Sequence, residues 1–157
     1  MDRLKGKVAI ITGGNSGVGE ATAKMFAKEG ATVVITARRE AALEKVAEEI
    51  KAAGGEVFAV STDISKKGDP ERLMDLVLEK YGKVDILVNN AGILEEGLKP
   101  IDRFSDEDLD RIVETNEKRN YALHACCITE DAGRSIYRKC CFYRWSERMW
   151  RSCLCSI

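Results

Sequence analysis

The sequence predicts an α/β fold: a doubly wound parallel sheet with helices on both faces. Short β-branched apolar runs alternate with stretches whose apolar residues recur three and four apart, the connections are short, and the first run enters a glycine-rich loop. Lys7-Val-Ala-Ile-Ile-Thr12 reads as a strand buried on both faces, because it has no polar alternation. A helix is predicted from about Gly17 to Glu29, with Val18, Ala21, Thr22, Met25 and Phe26 at helical spacing and Gly30 as its stop. Ala31-Thr-Val-Val-Ile-Thr36 gives the second strand, and Glu40 to Ala53 a helix with Leu43, Val46, Ala47 and Ile50 on one face. Val57-Phe-Ala-Val60 is the third strand. Pro70 to Tyr81 is a third helix, with Pro70 in its first turn and Leu73, Val77 and Leu78 turned inward. Ile86-Leu-Val88 is a fourth strand, and Ser105 with Asp108 three residues on caps a helix that starts through Leu109, Ile112 and Val113. The expected strand order is 3-2-1-4, with Ile86 to Val88 left as an open apolar edge.

Composition narrows the function classes. The 157 residues are 45% hydrophobic and carry a formal charge of −1, with no basic tract, so nothing points to nucleic acid or an anionic membrane as partner. The apolar runs fall far short of the roughly 18 residues a spanning helix needs, and Met1 to Lys5 has no signal-peptide core, so a cytoplasmic location is expected. The chain is nevertheless uneven. All six cysteines (Cys126, Cys127, Cys140, Cys141, Cys153, Cys155), both tryptophans (Trp145, Trp150) and the single histidine, His124, lie after residue 116.

In such sheets ligands bind beyond the carboxyl ends of the strands, which directs attention to the loops after strands one and four. The first is Thr12-Gly13-Gly14-Asn15-Ser16-Gly17-Val18-Gly19. Gly13 permits a sharp turn after the strand, Gly17 close approach of backbone to a pyrophosphate, and Gly19 packing of the helix against the sheet. The helix start then presents unpaired N–H groups and a positive dipole end to phosphate.

The spacing Thr-Gly-x-x-x-Gly-x-Gly resembles the short-chain dehydrogenase/reductase family, and three further sites agree. Asp63, in Ser61-Thr62-Asp63-Ile64, is similar to the family's aspartate that contacts the adenine amino group. Asn89-Asn90-Ala91-Gly92 is similar to its Asn-Asn-Ala-Gly signature, which stabilises the sheet and contacts the cofactor. Asn116 is similar to the fourth-helix asparagine that organises the proton relay. Among relatives the stretch from Lys7 to Ala91 most resembles 3-oxoacyl-carrier-protein reductases, and the resemblance runs from residue 5 to about 118. It implies a Rossmann-type dinucleotide-binding part over 1–118, with Gly13, Asn15, Ser16, Gly17, Val18, Gly19, Arg38, Asp63, Ile64, Asn90, Ala91 and Gly92 around the cofactor, and a small carbonyl or alcohol as substrate. At the end of strand two, Ala37-Arg38-Arg39 offers no carboxylate for ribose hydroxyls but does offer a planar cation for a 2′-phosphate. NADP(H) is therefore expected over NAD(H), and a methyltransferase reading of the loop is disfavoured.

The family's catalytic Tyr-x-x-x-Lys is missing: Asp85, Ala125, Cys141 and Glu147 stand four residues after Tyr81, Tyr121, Tyr137 and Tyr143. Tyr137 and Lys139 are two apart and would lie on different helix faces. The expected product is a sheet truncated after about four strands, with residues 119–157 an unrelated, poorly ordered tail and little or no turnover. Read one base later, the codons for Arg119 onward can encode a family-like helix, and those for Tyr137 to Arg144 a family-like fifth strand with the serine over Phe142. A frameshift between Asn116 and Arg119 would thus explain the unusual composition. Two alternatives read the tail as functional. The cysteines with His124 could form a metal or disulfide module, although they lack Cys-x-x-Cys spacing. Arg144, Trp145, Arg148, Trp150 and Arg151 could form a nucleic-acid patch, although no fold presents them. A non-catalytic NADP-binding or interaction module is the second reading of the chain as a whole.

Overall fold

The computed structural model describes residues 2–93, 100–118, 123, 130–131, 134–135 and 139–142. Strands β1 (Val8–Thr12), β2 (Thr32–Ala37), β3 (Glu56–Ser61) and β4 (Ile86–Asn89) alternate with helices α1 (Gly17–Lys28), α2 (Glu40–Ala52) and α3 (Asp69–Tyr81). Helix α4 (Asp106–Val113) follows, its N-terminus closed by a capping box in which Asp108 N donates to Ser105 Oγ and Ser105 N to Asp108 Oδ2, both at 3.2 Å. The α/β fold with a parallel sheet is as the sequence predicts.

The strands run in the order β3-β2-β1-β4 in parallel register, Ile10 lying beside Val34 on one side and Leu87 on the other. Successive strand residues face opposite ways, so β1 feeds two cores. Val8 and Ile10 join Leu73, Met74 and Val77 of α3, while Ala9 and Ile11 join Leu43, Val46 and Ile50 of α2 and Ala23 of α1. Both faces are covered, which is why β1 is apolar from Val8 to Ile11. Each fully buried Ile, Leu or Val contributes about 1.5–3 kcal/mol relative to exposure.

The open edge expected at Ile86 to Val88 is not found. Lys139–Phe142 forms a fifth parallel strand against β4, with Leu87 beside Cys140 and Asn89 beside Phe142. Parallel pairing is made by backbone groups, so a segment without a family-like side-chain pattern still satisfies the N–H and C=O row of β4. Numbered in chain order this strand is β7, after the short antiparallel pair β5 (Glu130–Asp131) and β6 (Arg134–Ser135). Leu123 is fully buried with Val8, Ile10 and Leu87. On α4 the expected apolar positions do not bury: Leu109 and Val113 are exposed. Among the described residues no helix is long and apolar enough to cross a membrane, and no group of three or more His, Cys, Asp or Glu side chains is placed to hold a metal. His124, Tyr137, Cys126, Cys127, Cys153, Cys155, Trp145 and Trp150 lie outside the described residues.

At the amino ends of the strands, Asp85 enters β4 beside β1. Its carboxylate accepts from Val8 N at 3.0 Å and pairs with Lys7 and Lys83, each at 3.1 Å. Burial pushes the Asp85 carboxyl up, but the Val8 amide and the two ammonium groups outweigh it and hold it below the usual carboxylate range.

Candidate functional site

At the carboxyl ends of the strands lies a cleft of about 770 Å³, within the range of small-molecule and cofactor sites. Its lining comes from the loops that follow the first four strands: Gly13, Asn15 and Ser16 after β1, Ala37 to Arg39 after β2, Thr62 to Ser65 after β3, and Asn90 to Ile93 after β4. The candidates Gly13, Asn15, Ser16, Arg38, Asp63, Ile64, Asn90, Ala91 and Gly92 thus meet at one surface. Gly17, Val18 and Gly19 form the first turn of α1 beside it and are not part of the lining.

The glycine-rich loop is held from two sides. Gly13 N and Gly14 N both donate to Thr36 O, at 2.8 and 3.2 Å, which ties the loop to β2. On the other side Thr12 Oγ1 accepts from Asn90 N at 3.0 Å and Ala91 N at 2.9 Å while donating to Val88 O at 3.3 Å. The Asn90 side-chain amide returns a bond to Thr12 O at 3.0 Å. Gly13 sits at φ +67°, the left-handed region that glycine adopts without strain. Gly19 has a different neighbour from the one its spacing predicts. A Cβ there would meet Gly13 O and, at 2.6 Å, Asn90 Nδ2, so it is the loop and Asn90, not the sheet, that need a glycine. Close packing on the sheet falls to Gly14, whose added Cβ would be 2.8 Å from Ile35 Cβ.

Ser16 is the N-cap of α1, and its side chain makes no capping bond, so the first-turn amides point outward without a side-chain acceptor. Asp63 is pre-oriented: Oδ1 accepts from Ser65 N at 3.1 Å and Ser65 Oγ at 2.6 Å, and Asp63 N donates to Asp69 Oδ2 at 3.0 Å. Burial pushes the Asp63 carboxyl up, but the Ser65 hydroxyl and amide, with Arg38 nearby, hold it below its ordinary value. Asn116 stands behind the lining, not in it. Its Oδ1 accepts from Ile93 N at 2.8 Å and its Nδ2 donates to Ile93 O at 2.9 Å, which fixes the backbone just after Gly92.

A scan across protein families matches residues 7–129 to the family described as short chain dehydrogenase. The chain belongs to the short chain dehydrogenase family. An uncharacterized oxidoreductase of Listeria innocua is 42% identical over 115 residues, which cover 73% of this chain and 46% of that protein. A metagenomic short-chain oxidoreductase solved in complex with NADP superposes with a TM-score of 0.73 at 36% identity, covering 78% of this chain and 55% of that one. The 3-ketoacyl-(acyl-carrier-protein) reductase of Brucella melitensis, solved with NADH, gives 0.72 at 47% identity, covering 80% and 50%. The chain spans about half the length of the relatives it matches.

The cleft of this short chain dehydrogenase chain fits a nicotinamide dinucleotide. Thr36 and Thr62 line it, and their Oγ1 atoms are buried without a hydrogen-bond partner among the described residues, an unmet polar capacity in its wall. Gly17 has open space where a side chain would stand, consistent with backbone approached by a ligand. Neither threonine is recognisable in the sequence, since each reads as an ordinary β-branched residue at a strand end. Arg111 and Thr115, which line the cleft from α4 and the turn after it, were also missed, because no loop motif marks them.

Proposed function

We propose that this chain carries the dinucleotide-binding half of an NADP(H)-dependent oxidoreductase acting on a carbonyl or the corresponding alcohol. We propose further that these 157 residues bind the cofactor without turning substrate over. One observation carries the reading: a single cleft joins the glycine-rich loop, Arg38 and Asp63. In it the α1 N-terminus and the Gly13–Ser16 loop take the pyrophosphate, and Arg38 takes the 2′-phosphate through its planar guanidinium. Asp63, held ionised by Ser65, accepts from the adenine amino group. Asn90, Ala91 and Gly92, braced by Thr12 and Asn116, border the nicotinamide end. Bound NADP(H) supplies or accepts the hydride; the protein must add a proton donor and a substrate pocket. The sequence has no Tyr-x-x-x-Lys to serve as that donor.

The same reading takes residues 1–118 as the dinucleotide-binding part and 119–157 as a tail translated in a shifted frame, in a truncated cytoplasmic protein. Sequencing the transcript across the codons for Val113 to Ile157 tests it. A one-base change that restores a serine and a Tyr-x-x-x-Lys downstream supports a damaged reductase, and an intact frame without them refutes it. A second reading, a non-catalytic NADP-binding module, is favoured by the seating of Lys139–Phe142 on β4, which covers the strand Ile86–Asn89. A sharp cooperative melt of a monodisperse sample supports that module. For cofactor choice, Arg38→Ala is expected to weaken NADPH binding about tenfold while leaving NADH nearly unchanged. Equal affinity of the unmodified chain for the two would refute the preference.

A further inference from the structure

Helix α4 is strongly acidic. Asp106, Glu107, Asp108 and Asp110 are its four acids and Arg111 its only base. None of the four acids lines the cleft, yet Arg111 does, together with Thr115 one turn further on. The acids are thus absent from the lining, while the one cation reaches the surface already carrying Arg38 and Arg39. Three guanidiniums against the single carboxylate of Asp63 give that lining an excess of positive charge, as suits a polyanionic ligand.

The guanidinium is not idle. Arg111 lies 3.8 Å from Asp108 Oδ1, an i,i+3 pair whose arginine side chain remains 42% exposed. An exposed pair of that length is weak and easily exchanged for a better anion. Asp108 is itself engaged by Ser105 in the capping box, so it keeps partners if Arg111 leaves.

We propose that Arg111 is a third anion-binding cation of the cleft, carried by α4, and that a bound dinucleotide draws its guanidinium away from Asp108. This rests on the NADP(H) reading above. NADPH, bearing a 2′-phosphate as well as the pyrophosphate, gains more from the added charge than NADH does. A guanidinium suits phosphate bidentately, whereas an ammonium acts as a point charge.

The test titrates the full chain and three variants, Arg111→Gln, Arg111→Lys and Asp108→Asn, with NADPH and NADH at low and high salt. Arg111→Gln is expected to raise the NADPH Kd about tenfold and the NADH Kd less, and Arg111→Lys to stay within about threefold of the unmodified chain. Asp108→Asn removes the competing charge while its amide oxygen still accepts from Ser105 N, so it is expected to tighten NADPH severalfold. A purely structural arginine–aspartate pair would not produce that opposite sign. The differences shrink as salt screens the charges. If the unmodified chain binds NADPH and Arg111→Gln binds it equally, or if Asp108→Asn weakens binding, the Arg111 assignment is wrong while the cofactor reading stands. If the unmodified chain binds neither dinucleotide, the cofactor reading fails and takes the Arg111 assignment with it. Should Arg111→Gln not fold, the sign of the Asp108→Asn effect decides.

Discussion

Thr12 and Asn90 are bonded in both directions: the Thr12 hydroxyl accepts Asn90 N at 3.0 Å, and the Asn90 side-chain amide donates to Thr12 O at 3.0 Å. The pair joins the carboxyl ends of β1 and β4, the two loops that bear most of the candidate cofactor contacts. Thr12→Val keeps the shape but leaves Ala91 N without its acceptor and Asn90 N with Val88 O alone, at a cost of about 1–3 kcal/mol. Thr12→Ser keeps the hydroxyl and is expected to cost less than about 1 kcal/mol. Urea midpoints compare the two, and equal midpoints would show that the hydroxyl is not what holds the junction.

The glycines of the loop are expected to separate by mechanism. Gly19→Ala drives a methyl into Gly13 O and to within 2.6 Å of Asn90 Nδ2, so it disrupts the Thr12–Asn90 junction as well as crowding the turn. A loss of about 1–3 kcal/mol and of NADPH binding is expected. Gly17→Ala meets no atom within 4 Å but holds φ at +57°, so it carries only the left-handed strain of about 1–2 kcal/mol. Thermal melts with NADPH titrations rank them. Stability less affected in Gly19→Ala than in Gly17→Ala would contradict the packing account.

Asp85 gives the fold an acid dependence. Its carboxyl is held below the ordinary value of about 3.9 in the folded state, so its contribution is fully present above that value and is lost as pH falls through the lower folded one. Asp85→Asn removes the ion pairs with Lys7 and Lys83 but can still accept from Val8 N. It is expected to lower stability near neutral pH and to flatten the stability curve below about pH 4. Denaturant titrations at several pH values check this, and parallel pH curves for the two proteins would refute it.

Asn116 holds Ile93 by both of its backbone groups, and Asn116→Asp keeps the acceptor while turning a carboxylate oxygen on the Ile93 carbonyl. Loss of about 1–3 kcal/mol and faster exchange of the amides after Gly92 are expected. Hydrogen exchange reads the effect directly, and unchanged protection at Ile93 would mean that other contacts hold the segment.

Much of the fold was legible because its causes are local. Val8–Ile11 is apolar throughout since both faces of β1 are buried, and Ser105 with Asp108 marks a helix start that forms a full capping box. Every strand and helix from β1 to β4 lies within one residue of its expected bounds. The candidate site was legible where a loop has a spacing, as at Gly13 to Gly19 and Asn90 to Gly92. It was not legible at Thr36, Thr62 and Arg111, whose meaning depends on which elements come together around the cleft. Lys139–Phe142 escaped notice as a strand in its own frame, because two cysteines beside a lysine carry no strand pattern and backbone pairing leaves no mark in side chains.

The central claim is that the cleft binds NADP(H), and isothermal titration of the full chain with NADPH and with NADH tests it most directly. One saturable NADPH site per chain, at least about tenfold tighter than NADH, is predicted. Absence of saturable binding by a folded, monodisperse sample would contradict the account.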